Sequence, residues 1–299
     1  GSRDRLERSG YTGGGEQTGV TMADIDRAFA MIQAKHPRED ALFAYYDGRQ
    51  PLVYAAEHLR EVFSRSDVHF TENWCRLVVD VTQERLQLGG ITGPDGTQDL
   101  LDRILSDNDV ALISDALNES LLVTGEAYLA IWPADDGTIE MYANDPRICV
   151  AIYNPERPRE MLYAAKLFAQ QDGGHRMVLY YPDRIENYLS GAKQPASAKS
   201  FVLESTVVNE FGIIPIFHFR QGAREPQSDI SDVIPLQDAI NKLLTDMMVE
   251  AEFGAFRQRW IISNADTSVL RNSPNEIWTI PAGSAGEQAT QVGEFSPTD

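Results

Sequence analysis

The spacing of apolar residues divides the chain into a helical first part and a strand-rich second part. A capping box at Thr21 and Asp24 predicts a helix that Pro37 limits. Helical periodicity predicts further helices in the first 125 residues, over 55–64, 73–86, 98–106 and 109–123. After Gly125 the apolar runs are short and rich in β-branched and aromatic residues, which predicts strands over 127–132, 138–142, 148–153, 161–168, 176–181, 185–189 and 212–220.

Polar and small residues separate the predicted elements. Residues 1–20 show no apolar period and begin with Gly-Ser, so we predict a flexible arm or a tag remnant there. Two triplets are typical of hairpin turns, because such turns need residues that tolerate positive φ: Asp135-Asp136-Gly137 and Asp172-Gly173-Gly174. Residues 190–200 form a small-residue linker, and runs at 260–263 and 276–281 indicate a small β unit.

The run from Ser231 to Trp260 predicts one long helix of roughly 40 Å, at about 1.5 Å per residue. Pro235 fits its first turn, where the missing N–H has no helical partner. Apolar residues recur at three- and four-residue spacing: Leu236, Ile240, Leu243, Leu244, Met247, Met248 and Ala251. Polar residues gather on the other side: Asp238, Asn241, Lys242, Thr245, Asp246 and Glu252. The pattern predicts that the apolar face packs against protein and that the polar face meets water.

Composition narrows the classes of function. The chain has 299 residues, which is long enough for two domains, and 42% of them are hydrophobic. Its formal net charge is −19. Tight DNA binding needs a surplus of lysine and arginine to neutralise phosphates, so this charge argues against it. Cys75 and Cys149 lack metal-ligand spacing and suggest neither a zinc site nor a disulfide framework, which fits a reducing compartment. No apolar run reaches the roughly 20 residues that cross a bilayer, and no secretory signal is evident.

The sequence shows no common catalytic motif for nucleotide binding, zinc hydrolysis or a nucleophilic serine. The histidines are scattered and are predicted to be structural: His36, His58, His69, His175 and His218. Two groups could be drawn into a magnesium site, namely Asp183 with Glu186, and Asp145 with Glu160 and Lys166. Acidic residues are frequent enough here for such spacings to arise by chance. We therefore predict no catalytic residue, no metal and no cofactor.

Several blocks of sequence, taken in order, resemble the portal proteins of tailed bacteriophages, of the kind found in siphophages of actinobacteria. The blocks are 45–52 (YYDGRQPL), 73–80 (NWCRLVVD), 84–86 (ERL), 125–128 (GEAY), 132–133 (WP), 183–186 (DRIE) and 232–242 (DVIPLQDAINK). Their order is more specific than any one motif. The resemblance runs from about Tyr45 to the last residue and covers the front part of such a portal, whose second stem helix, tunnel loop and crown are expected after Asp299.

This resemblance implies an α+β fold in three regions: a wing of helices and antiparallel strands over 21–230, a stem helix over 231–259, and the start of a small β/α clip over 260–299. It implies a ring, normally a dodecamer, at one capsid vertex, through which double-stranded DNA passes non-specifically during packaging and ejection. The expected partners are further copies of the chain, terminase, and the head-tail connector and capsid proteins, with no membrane. The expected location is the virion, after synthesis in the cytoplasm of the bacterial host.

The candidate site residues follow from this placement. The polar residues of the long helix, given above, are expected to face the channel or a neighbouring subunit, with simple exposure to solvent as an equal alternative. Lys242 lies one turn from Asp238 and Asp246 and is expected to form an ion pair within the helix or between subunits. Trp260 and Trp278 are candidates for the clip interface. Two other functions stay open, a magnesium-dependent nuclease and an acidic binding module that acts as a monomer.

Overall fold

A computed structural model describes most of the chain in two compact units. The described residues are 14–51, 72–134, 136–171, 173–191, 193, 195–222, 225–255, 259–262 and 291–294. The first unit combines residues 1–50 with 73–234, and the second combines 51–72 with 235–299. Helices and antiparallel sheets both occur, as an α+β fold requires.

The first helix, α1, runs over Gly14–Tyr46 and includes Pro37. Two predictions are therefore wrong: residues 14–20 belong to the helix and not to an arm, and Pro37 does not limit the helix. A proline inside a helix removes one N–H and crowds the preceding turn, at a cost of about 3 kcal/mol. The helix continues because it is anchored on both sides of the proline, by Ile32 before it and Leu42 after it, both of which are buried.

Three shorter helices confirm the predicted helical pattern: α2 over Trp74–Gln83, α3 over Gln98–Asp107 and α4 over Val110–Thr124. The α2 helix begins where predicted because the Asn73 side chain accepts a hydrogen bond from the backbone N–H of Arg76 at 3.0 Å. The predicted helix at 55–64 lies outside the described residues.

The strands of the described chain form three antiparallel sheets. Their bounds are β1 Glu126–Pro133, β2 Ile139–Asn144, β3 Cys149–Tyr153, β4 Met161–Ala169, β5 His175–Tyr180, β6 Arg184–Ser190, β7 Val202–Val208, β8 Ile216–Arg220, β9 Arg259–Ile262 and β10 Gln291–Glu294. The three-stranded sheet has the order β2-β1-β8, the five-stranded sheet has the order β3-β4-β5-β6-β7, and β9 pairs with β10. The two predicted turn triplets lie between strands that pair with each other, residues 135–137 between β1 and β2 and residues 172–174 between β4 and β5.

Strands β1 to β6 confirm the predicted strands, whereas β7 is absent from the prediction. Every residue of β7 is exposed, and this strand forms one edge of its sheet. An edge strand without a buried face has no need for the apolar and polar alternation on which the prediction depends. The strand predicted over 212–220 begins only at Ile216, since Gly212 adopts a φ of +65° in the preceding turn.

The five-stranded sheet lies between α1 and the three-stranded sheet. On one face, Ile25 and Phe29 of α1 share a buried cluster with Leu179 of β5. On the other face, Ala164 of β4 shares a cluster with Tyr128 of β1. A further cluster joins the last part of α1 to α2 and α4. The two cysteines lie in different clusters, so their thiols do not face each other.

Candidate subunit and channel interface

The long helix of the second unit, α5, runs over Ile234–Ala255 and spans roughly 33 Å at about 1.5 Å per residue. It is shorter at both ends than the predicted helix. Residues 231–233 form turns, in which the N–H groups of Val233 and Ile234 both donate to the Ile230 carbonyl, and β9 begins at Arg259. Pro235 occupies the first turn, as predicted.

The buried side of α5 is polar. Gln237, Asn241 and Thr245 are 0%, 5% and 6% exposed. The Nε2 of Gln237 donates to the Glu72 carbonyl at 2.6 Å, and the Oδ1 of Asn241 accepts from the Glu72 N–H at 3.0 Å. The Thr245 hydroxyl donates to the Asn241 carbonyl at 2.7 Å. Gln237 and Asn241 bind the backbone groups of Glu72 in a neighbouring segment, which would otherwise lose hydrogen bonds on leaving water.

An exposed side of α5 is apolar. Leu236, Leu243 and Met247 are 66%, 62% and 64% exposed. Together with the half-buried Ile240 they form a stripe with spacings of four, three and four residues, which we name the apolar seam. The sequence predicts that these residues pack against protein; in the single chain three of them are exposed, because the buried face of the helix is rotated toward Gln237 and Asn241. Such spacing is typical of the contact between two packed helices.

The structure divides the predicted polar stripe. Asn241 and Thr245 lie on the buried side, so the prediction that the whole stripe shares one exposed face is wrong for these two residues. Lys242 and Asp246 are exposed and form an ion pair at 2.9 Å within the helix, which adds at most about 0.5 kcal/mol at such a site. Asp238 is half-buried, and the side chain of Glu252 lies outside the described residues.

The predicted small β unit is present in part. Strand β9 confirms the run at 260–263, and it pairs with β10, which the sequence pattern does not predict. Trp260 lies opposite Gly293, and a Cβ added to that glycine would lie 2.4 Å from the indole ring. Glycine is therefore needed for the tryptophan to lie against the partner strand. The predicted run at 276–281, with Trp278, lies outside the described residues.

A buried polar cluster joins α1 to the three-stranded sheet in the first unit. Lys35 Nζ donates to Glu126 Oε1 at 2.8 Å and lies 3.6 Å from Glu39 Oε1. The Tyr128 hydroxyl donates to Glu126 Oε2 at 2.7 Å, and His218 Nε2 lies 3.1 Å from the same oxygen. The His218 ring stacks on the Tyr128 ring at 4.5 Å. His218 is thus a hydrogen-bonded structural histidine, as predicted; His58 and His69 lie outside the described residues.

The pKa values of the two carboxyl groups of this cluster, Glu39 and Glu126, shift in opposite directions. Burial alone would raise the pKa of Glu126, but the hydrogen bond from His218, the neighbouring Glu39 carboxyl group and the charge of Lys35 lower it below its ordinary value. Burial raises the pKa of Glu39 from 4.5 to about 8, and the neighbouring Glu126 adds to this effect. Neither carboxyl oxygen of Glu39 makes a well-formed hydrogen bond to a described residue. The cluster therefore holds one ionised and one protonated carboxyl group at neutral pH.

Comparison with known proteins decides the family. The family model described as "Phage portal protein, SPP1 Gp6-like" matches residues 26–294 of the chain. The chain belongs to the phage portal protein family. No curated protein matches it. Family membership identifies this portal chain as a structural component of an oligomeric, capsid-associated assembly of a bacteriophage. Among the described helices of the portal chain, none is long and apolar enough to cross a membrane.

The acidic residues considered for a magnesium site serve other contacts in this portal chain. Asp145 precedes β3 and pairs with Arg147 at 2.7 Å, whereas Glu160 lies at the other end of the β3–β4 hairpin and pairs with Arg157 at 3.4 Å. Lys166 donates to the Asn144 side chain. Within the described ranges, no group of three His, Cys, Asp or Glu side chains is placed to hold a metal ion.

The second acidic pair, Asp183 and Glu186, is bridged by a cation. Arg184 Nε lies 2.7 Å from Glu186, and its Nη1 lies 3.1 Å from Asp183. A guanidinium between two carboxylates neutralises the charge that would attract magnesium. In the portal chain these ion pairs therefore stabilise the start of β6.

The sequence patterns of this portal chain did not lead to a prediction of the polar cluster of Lys35, Glu39 and Glu126. A signal was present, because Lys35 and Glu39 continue the apolar stripe of α1 from Ile32 to Leu42 at spacings of three, four and three residues. Charged residues at such core positions indicate a buried pair or network. The signal was lost because Pro37 was predicted to limit the helix.

Proposed function

We propose that this protein forms a ring at one vertex of the capsid, through which double-stranded DNA is packaged and ejected, and on which terminase and the head-tail connector proteins dock. The apolar seam of α5 is the observation that carries this proposal. Three residues of one helix face keep more than three-fifths of their surface exposed, which is costly for a helix that stays in water. Family membership makes further copies of the chain the natural partner of this face.

A ring requires a heterologous contact, in which the seam meets a different surface of the next copy. A seam of four apolar residues at helical spacing fits between the side chains of a neighbouring helix, as in other helix bundles. By the resemblance to portals, the ring is a dodecamer and α5 forms its stem. The polar side of α5 beside the seam, with the half-buried Asp238 and the exposed Lys242 and Asp246, then lies toward the channel or the neighbouring subunit.

Charge supports the passage of DNA without retention. The chain has a net charge of −19, and the exposed polar side of α5 bears one lysine between two aspartates. DNA that passes a wall with few fixed cations releases few of its condensed counterions, so the wall does not bind the phosphate backbone tightly. We assign Trp260 and Trp278 to the surface that receives the docking proteins, on the basis of the resemblance alone.

Replacement of Leu243 by aspartate is expected to abolish ring formation. Each ring contact loses a leucine worth about 1.5–3 kcal/mol when buried and gains a carboxylate without a partner, and the loss is repeated at every contact. Native mass spectrometry and negative-stain electron microscopy should show annular particles for the unaltered protein and monomers for Leu243→Asp.

Leu112→Asp is the matched control for this experiment. Leu112 lies on a helix, α4, and is 65% exposed, close to the 62% of Leu243. It should leave the ring intact. Rings of normal yield from Leu243→Asp would show that the seam is not the subunit contact, and a chain that stays monomeric at tens of micromolar would argue against the ring itself.

A further inference from the structure

The apolar seam of α5 needs a different surface on the next copy, because heterologous contacts close a ring. Packed helices meet through side chains at three- and four-residue spacing, so we expect this second surface on a helix as well. Among the described helices, only α2 and α5 expose three or more large apolar side chains in one stripe. The other helices expose such side chains singly or far apart: Met22 and Met31 on α1, Leu100 on α3 and Leu112 on α4.

The exposed stripe of α2 consists of Trp74, Leu77 and Val81, which we name the α2 stripe. These residues are 48%, 49% and 40% exposed, at spacings of three and four residues. The side of α2 that bears Cys75 and Val79 is fully buried in the cluster with α1 and α4. The core therefore fixes the helix and turns the stripe outward. Tryptophan is enriched among the residues that dominate protein interfaces, and one begins this stripe.

The charges on α2 also suit a contact with α5. Helix α2 and the two residues after it bear equal numbers of basic and acidic residues: Arg76, Asp80, Glu84 and Arg85. Arg76 and Asp80 pair at 3.2 Å. Helix α5 has an excess of acidic residues over its single lysine: Asp238, Lys242, Asp246, Glu250 and Glu252. Two acidic surfaces repel each other, so an electrically balanced helix is the better neighbour for α5.

We propose that the α2 stripe of one copy packs against the apolar seam of α5 in the next copy. The inference rests on the proposed ring and names the surface that receives the seam. Leu77, at the centre of the stripe, then lies near Ile240 and Leu243, at the centre of the seam. Each copy supplies one stripe and one seam, so the same contact repeats from copy to copy around the axis.

Crosslinking between two variants tests this contact. Leu77→Cys and Leu243→Cys are co-expressed with different tags, so that both enter the same rings, and are treated with a short bis-maleimide reagent. Cys75 and Cys149 are buried and should not react. Linked pairs that carry both tags should form, because the contact holds the two thiols side by side. Each variant alone should give no linked pairs, because neither position is expected to meet its own copy.

Leu112→Cys with Leu243→Cys is the matched control, since Leu112 is also a leucine on a helix and is 65% exposed. The yield of linked pairs from Leu77→Cys should exceed the control by roughly tenfold, because neighbouring thiols react at a high effective concentration. Intact rings with a yield no higher than the control would overturn the α2 contact and leave the ring standing. Linked pairs from Leu243→Cys alone would overturn it in favour of a contact between two seams. If the unaltered chain forms no rings, the proposed function fails, and this contact fails with it.

Discussion

Replacement of Glu39 by glutamine is expected to abolish most of the pH dependence of the free energy of unfolding between about pH 4.5 and pH 8. Glu39 has no exposed surface, and burial raises its pKa from 4.5 to about 8. The folded chain therefore keeps a proton on Glu39 that the unfolded chain releases above pH 4.5. Stability from this group is fully present below pH 4.5 and is lost as the pH rises through 8, by at most about 1.4 kcal/mol per pH unit.

The groups around Glu39 determine the size of this effect. Lys35 and Arg38 of α1 favour its charged form, whereas Glu126 of β1 disfavours it, and burial outweighs the two cations. Tyr128 and His218 face the cluster as well, but they bind Glu126. Because the pKa of Glu126 is lowered, its stabilising contribution is lost only below pH 4.5, outside the window in which Glu39 acts.

Urea unfolding at a series of pH values measures this prediction. Near pH 5 the Glu39→Gln chain should match the unaltered chain, since an amide and a protonated carboxyl group have similar size and no charge. At pH 8 it should be more stable by roughly 3 kcal/mol, because it never has to bury a charge. Glu156→Gln, at an exposed position, is the control and should keep the pH dependence of the unaltered chain. A Glu39→Gln chain with an unchanged slope would mean that Glu39 is ionised in the core.

Replacement of Gly125 by alanine is expected to lower the free energy of unfolding by about 3 kcal/mol or more. Gly125 ends α4 with a φ of +88°, a backbone conformation that costs an alanine about 1 kcal/mol or more. A Cβ at this position would lie 2.4 Å from the backbone nitrogen of Gln227. That segment cannot move away easily, because the Gln221 N–H donates to the Gly125 carbonyl and the Asp229 N–H donates to the Leu122 carbonyl. Overpacking therefore adds to the strain of the backbone.

Gly137→Ala separates the two contributions in the Gly125→Ala measurement. Gly137 has nearly the same φ, +85°, but has no atom within 4 Å of an added Cβ. Its replacement should cost only the strain of the backbone, about 1 kcal/mol. Urea unfolding followed by circular dichroism measures both losses. Equal losses for the two variants would show that the segment at Gln227 yields to the new methyl group.

Local patterns predicted most elements of the first unit, because most of these elements have one face that is buried or half-buried. Helices α2, α3 and α4 and strands β1 to β6 lie where periodicity indicated. The exceptions have physical causes. Helix α1 passes through Pro37 because tertiary contacts on both sides outweigh a local cost, and β7 is an edge strand with no buried face to produce a pattern.

The candidate site shows the same division. The sequence predicted a long helix near residues 231–260, and the order of its blocks indicated the portal family, which the family match confirms. It did not predict which face of α5 is buried. The hydrophobic pattern predicted only that the apolar face packs against protein and that the polar face meets water, but the Glu72 backbone groups need hydrogen-bond partners, and Gln237 and Asn241 supply them.

The sequence by itself thus determined the fold class, most helices and strands, and the family, because these depend on short-range periodicity and on the order of residues. Only the tertiary structure decided which α5 residues are buried and which carboxyl groups meet. Lys35 and Glu126 are 91 positions apart, and His218 is a further 92 positions from Glu126. Contacts over such separations depend on strand order and helix placement, which local periodicity does not encode.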